Sequence, residues 1–183
     1  MTREKDLQQI HDEIISCTKC TLHETRLNAV PGEGPVNAKV MFIGEAPGAN
    51  EDVTGRPFVG RSGKLLRLLI AEAGLSEDEV FITSILKSRP PNNRTPKTSE
   101  SEACMPYLER QIAAINPQVI VLVGGVAISN LLGPWKLADA HGRFYEEKGR
   151  KYFMSYHPAA ALRNPALKDV MRADFEKLKK ALL

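Results

Sequence analysis

A chain of 183 residues, 43% hydrophobic and 26% charged, is long enough to bury a core without disulfides and has the make-up of an ordinary globular protein. Its longest apolar run, Val119 to Val123, is far too short to cross a bilayer, and its charged opening, Met1 to Asp6, lacks an apolar signal region. The expectation is a cytoplasmic monomer with no membrane segment, and a net charge of +3 is too small by itself to demand a polyanionic partner.

Leu7, Ile10, Ile14 and Ile15 share one helical face, which predicts an amphipathic helix over 6–16. Cys17-Thr18-Lys19-Cys20 follows directly. The run from Ala38 to Gly44 reads as a buried strand entering Gly44-Glu45-Ala46-Pro47-Gly48 and then Thr54-Gly55-Arg56-Pro57-Phe58-Val59-Gly60. That stretch is too rich in Gly and Pro for a helix or strand. It reads as a shaped loop presenting the Glu45 carboxylate and an exposed Phe58 ring, with Glu51 and Asp52 organising it. Ser62 is the expected N-cap of a helix over 63–73, closed by Gly74.

Val80 to Leu86 is the second strand. From Lys87 to Lys97 four bases (Lys87, Arg89, Arg94, Lys97) occur with no acid in a Pro- and Asn-rich loop. Charge alone divides evenly between a phosphate-contacting surface and a plain solvated loop. A helix from Thr98 or Ser99 to Ile115 is stopped by Asn116-Pro117. A third strand over 118–124 and a short helix over 125–132 follow. Residues 143–147 and 152–156 form a hairpin or a pair of short strands. The second of these ends in Ser155-Tyr156-His157-Pro158, a histidine held by the following proline, and a last helix covers 168–182.

Strands alternating with helices predict one domain over 1–183. Its expected architecture is a three-layer α/β/α fold with a central, mainly parallel four-stranded sheet. Ligands of such sheets sit at the carboxyl ends of the strands. Here those ends lead into the Gly44 loop, the 84–94 loop, Gly124-Gly125 and His157. A carboxylate, a flat apolar ring and a histidine on separate loops suit stacking and hydrogen bonding of a planar heterocycle.

Together these segments resemble the family 4 uracil-DNA glycosylases, the iron–sulfur type of archaea and bacteria. The matching stretches are Cys17 to Leu22, Val30-Pro31-Gly32-Glu33-Gly34, the loop from Gly44 to Gly60, Arg89 to Pro96, Ala103 to Leu108, and Tyr156-His157-Pro158. They span nearly the whole chain in family order. The resemblance implies the uracil-DNA glycosylase fold and a DNA repair enzyme that flips uracil out of DNA and hydrolyses its N-glycosidic bond, leaving an abasic site. It implies Glu45 and His157 as catalytic residues, with Gly44, Ala46, Phe58 and Ser84 beside them around the uracil. Contacts to uracil-containing DNA are expected from Arg61, Arg89, Asn92, Arg94 and Arg163.

Two departures from the family pattern matter. The family holds a [4Fe–4S] cluster on four cysteines, whereas this chain has three cysteines in all. Cys17, Cys20 and Cys104 match three ligands, and Ser88 stands at the fourth. Ligation by Ser88, another ligand on the fourth iron or loss of that iron, and absence of the cluster are all open. So are a zinc site completed by His11 or His23 and a Cys17–Cys20 redox pair. The second departure is Ser84, where many family members carry Asn. A hydroxyl reads a base edge less selectively than an amide. The alternatives to uracil excision are therefore a broader preference for deaminated bases, or a binder of uracil-DNA that turns over poorly.

Overall fold

The computed structural model describes residues 2–182. Five strands, β1 (Val40–Gly44), β2 (Val80–Ser84), β3 (Val119–Val123), β4 (Phe144–Glu147) and β5 (Arg150–Ser155), form one sheet in the order β2-β1-β3-β5-β4. The first four in that order are parallel, and β4 lies antiparallel to β5 at the edge. The sheet thus has one strand more than the four expected. The hairpin foreseen over 143–156 supplies both β5, the fourth parallel strand, and β4, the additional one. Lys148 and Gly149 join them with positive φ angles of 51° and 73°, the tight two-residue turn that fits the twist of a hairpin.

Side chains alternate across a strand. Val40, Phe42, Ile82, Val121 and Phe153 therefore face one side, against Leu66 and Leu69 of α3 (Arg61–Glu72) and Met171, Phe175 and Leu178 of α8 (Ala166–Leu182). Met41, Ile43, Phe81, Ile120, Leu122 and Met154 face the other. They meet Leu108, Ile112 and Ile115 of α4 (Thr98–Ile115) and Ile128 of α5 (Gly125–Leu132). Each such side chain stabilises the fold by roughly 1.5–3 kcal/mol on burial, which is why the central strands β1 and β3 read as unbroken apolar runs. The helix α1 (Arg3–Ile15) lies outside α4, with Ile10 and Ile14 against Tyr107. Ile15 falls off that stripe and is 52% exposed.

Two six-residue helices were not foreseen: α2 (Ala49–Thr54), inside the Gly-rich loop, and α7 (Pro158–Arg163), directly after His157. A four-residue helix, α6 (Leu137–Ala140), precedes the hairpin. All three are too short to show a periodic stripe. No helix among the described residues is long and apolar enough to cross a membrane. The strand order reverses at β1, which leaves a crevice at its carboxyl end.

Candidate active site

The carboxyl ends of β1, β2 and β5 open into a cavity of about 450 Å³. Glu45, Ala46, Phe58, Ser84 and His157 all line it, so five of the six residues expected around the base come together. Gly44 does not line it. It lies beneath the Phe58 ring, where a Cβ would overlap the ring's edge. Its job is clearance rather than contact.

His157 follows β5 and is the N-cap of α7, with Pro158 at the first helical position, where a missing N–H costs nothing. Its Nδ1 accepts the backbone N–H of Ala159 at 3.1 Å. A neutral imidazole whose Nδ1 accepts must carry its proton on Nε2. Burial first, and the Arg163 charge second, pull the imidazole down to about 4, against a smaller opposing pull from Glu51. The ring therefore stays neutral at physiological pH and offers an Nε2–H donor.

Phe58 was expected to be exposed, but it is 7% accessible. Its ring centroid lies 5.9 Å from that of His157 at an interplanar angle of 31°. The ring is buried because it forms the cavity wall while its other edge packs into the core. Phe58 also has φ 50°, a left-handed backbone that costs a residue with a side chain about 1–2 kcal/mol. Gly63 of α3 makes the conformation possible, since a Cβ there would overlap the Phe58 backbone. A glycine inside a helix is a mark of close backbone approach, and it was the one sequence signal of this contact.

Glu45 follows β1, is half-buried, and its carboxyl is raised by burial. Glu51 and Asp52 organise the loop as expected. The Glu51 carboxylate accepts N–H groups from Gly48, Val59 and Gly60 at 3.1, 2.8 and 2.9 Å. Asp52 accepts those of Leu27 and Asn28.

The rim differs from the expected basic loop in two places. Lys87 is 2% exposed and donates inward to Thr83 Oγ1, the Ser84 carbonyl and Gln111 Oε1. It secures the end of β2 and presents no charge to solvent. Arg94 is gripped through both terminal guanidinium nitrogens by the buried Glu100 at 2.9 and 2.7 Å. Its charge is largely engaged within the protein although it reaches the cavity mouth. Arg61, Arg89 and Arg163 form no ion pair among the described residues; Arg89 donates to Asn93 Oδ1 at 2.8 Å, and of the three Arg163 alone lines the cavity. Asn92 is exposed on the same loop. Ser62 and Asn93, which sequence reasoning did not place at the site, also line the cavity; Ser62 is not a cap, because Gly60 starts α3.

Cys20 and Cys104 pack with Leu22 and Leu86. Burial raises the Cys104 thiol most, and Cys20 and Cys17 lie near enough to raise it further. Ser88, 4% exposed, accepts an N–H from Arg26 at 2.9 Å, and Arg26 also reaches the Ile15 carbonyl at 3.0 Å. The three cysteines are unbridged. Among the described residues no three His, Cys, Asp or Glu side chains are grouped so as to hold a metal ion. His23 Nδ1 instead lies 2.7 Å from the Cys20 carbonyl.

The model of the uracil DNA glycosylase superfamily matches residues 31–182. The type-4 uracil-DNA glycosylase of Saccharolobus solfataricus is 49% identical, over 97% of this chain and 87% of its own length. That of Pyrobaculum aerophilum is 47% identical over 94% and 90%. A bacterial relative, the type-4 uracil-DNA glycosylase of Thermotoga maritima, is 41% identical over 97% and 95%.

Proposed function

The chain belongs to the uracil DNA glycosylase superfamily, and we propose that it excises uracil from DNA by hydrolysing the N-glycosidic bond. The observation that carries this reading is that His157, Phe58 and Glu45 line one cavity, with the His157 ring 5.9 Å from that of Phe58 and its Nδ1 accepting the Ala159 N–H. Extruding a base from the duplex costs a few kcal/mol. Stacking on an aromatic ring such as Phe58 returns about 1–3 kcal/mol. As the bond breaks, its electron pair leaves with the uracil ring, and negative charge spreads onto the carbonyl oxygens. The His157 donor stabilises that charge where it develops. The sugar becomes positive, and the Glu45 carboxylate steadies it and takes a proton from the water that adds to the sugar carbon. The products are free uracil and an abasic site.

The test is incubation with single- and double-stranded oligonucleotides carrying one uracil, followed by alkali. Strand cleavage at the uracil is expected; an intact strand overturns the reading, and tight retention without cleavage points to a binder. Ser84, a hydroxyl at the base edge, favours a second reading in which other deaminated bases are accepted. Cleavage of a hypoxanthine oligonucleotide at a comparable rate would carry that reading instead.

DNA approaches the rim through Arg61, Arg89 and Arg163, with Asn92 beside them. Arg163→Ala is expected to weaken binding of all sequences alike and to lower the slope of log K against log[salt] by about one. Arg94→Ala should leave that slope nearly unchanged and instead lower the melting temperature, because it strands the buried Glu100. Residues 1–183 are taken as one domain acting as a monomer.

The proximity of Cys17, Cys20 and Cys104 supports an iron–sulfur cluster at three of its four expected positions. Cys17, Cys20 and Cys104 would hold a group of the [4Fe–4S] class, and Ser88 stands at the fourth place with its hydroxyl already engaged by Arg26. When bound, such a group supplies a cross-link between the end of α1, α4 and the 88–94 loop rather than a reacting centre. Purified protein is expected to be brown and to contain iron and acid-labile sulfide, with Ser88→Cys raising the iron content. Colourless, metal-free, folded and active protein would remove the cluster from the reading.

A further inference from the structure

Resting on the reading of Phe58 as the platform for the flipped base, we propose that Arg67 is the positioning residue that fixes the plane of that ring, with Glu33 holding Arg67 in turn. The Arg67 Nε donates to the Phe58 carbonyl at 2.9 Å, and its NH2 group donates to the Pro57 carbonyl at 2.8 Å and to Glu33 Oε1 at 2.6 Å. Neither the base-facing motif nor the helix periodicity singles Arg67 out.

The two carbonyls gripped are successive, and Phe58, which carries the second, has φ 50°, in the left-handed region that a residue with a side chain does not adopt unaided. The surroundings impose it from three directions. Arg67 draws both carbonyls towards α3, Gly63 lets the segment lie flat on the helix, and Gly44 leaves room for the ring.

Glu33 extends the device. Its backbone pairs with Ile82 of β2 in both directions, N–H to carbonyl at 2.9 and 2.8 Å. Its carboxylate binds Arg67 and accepts two N–H groups of Arg56 at 2.9 and 3.0 Å. Burial alone would raise the Glu33 carboxyl, but the two guanidiniums more than offset it and hold it below its usual range. The ring that faces His157 is thus referenced to β2 through a side-chain chain that never enters the cavity. A planar, five-donor fork suits this task, and a single ammonium does not.

Two measurements on the full chain test the proposal. The first is independent of catalysis. The Phe58 ring, 5.9 Å from that of His157, shifts the His157 ring-proton resonances, and Phe58→Ala identifies that shift by removing it. Arg67→Met and Arg67→Lys are expected to abolish most of the same shift while the melting transition stays cooperative. His157 resonances that do not move in either variant would overturn the proposal.

The second is a double-mutant cycle on uracil excision. Arg67→Met is expected to raise KM about fivefold, the low end of a lost stacking contact, with kcat nearly unchanged. In the Phe58→Ala background the same substitution should add nothing, because its target is gone. Losses that multiply would show that Arg67 acts elsewhere. A wild-type protein that excises no uracil overturns the functional reading alone, since the resonance experiment still decides the role of Arg67.

Discussion

Replacing His157 by Ala is expected to lower kcat for uracil excision by about 10²–10³-fold, the usual loss when one donor to a developing anion is removed. Because the imidazole is held at about 4 by burial, the donor is neutral throughout the working range. Wild-type kcat should therefore show no limb near 6.5, where an ordinary histidine titrates. The alanine variant also loses the Nδ1 acceptor that caps α7, at about 1 kcal/mol. That corresponds to a fall in melting temperature of roughly 2–4 °C for a chain of this size. His157→Asn separates the two roles. Asparagine caps well but is too short to put a donor where Nε2 lies, so stability should return while kcat stays low. An alanine variant with unchanged kcat removes His157 from the reaction. The sign of the stability effect follows from linkage. The folded value lies below the unfolded 6.5, so stability is fully present above 6.5 and is lost as pH falls towards about 4. His157→Ala should blunt that acid sensitivity.

Glu45→Gln carries the second large effect, a loss in kcat of about 10²–10⁴-fold if the carboxylate takes the proton of the attacking water. Burial raises the Glu45 carboxyl. Activity should then fall on acidification through a limb lying above the ordinary carboxylate range, and that limb should vanish in the Gln variant. A limb that persists belongs to another group. Linkage here runs the opposite way to His157. A raised folded value means that the native state binds the proton more tightly than the unfolded chain, so stability rises as pH falls through that value. At neutral pH the buried charge is a cost. Glu45→Gln is therefore expected to melt slightly higher than wild type at pH 7 while being far less active, a common trade at functional sites.

Much of the framework can be read from the chain because its strands and long helices carry strong periodic signals. Val119 to Val123 and the Thr98–Ile115 helix with its Asn116 stop announce themselves, and the strand ends point to the site. What stays hidden is where polar groups spend their bonds. Lys87 and Arg94 look like loop cations in sequence, yet one is secured by Gln111, far along the helix that follows, and the other by Glu100 in the first turn of that helix. Phe58 looks exposed because its neighbours are Gly and Pro, and only folding brings its ring over Gly44 and into the apolar core. The helices α2 and α7 escape for a different reason. One is introduced by Gly48 and the other by His157, and neither is long enough to repeat a pattern. Ser88 is the reverse case, obvious in sequence as a serine at a position where the family pattern has cysteine, whereas its bond to Arg26 is not.

The Lys148–Gly149 turn sits at the end of the sheet away from the cavity, because β5 starts there and runs towards His157. Both residues are exposed, and the turn carries no part of the chemistry. It is a natural handle: a bead, dye or electrode coupled there would leave the mouth of the enzyme aimed at the surrounding solution, ready to scan nucleic acid flowing past.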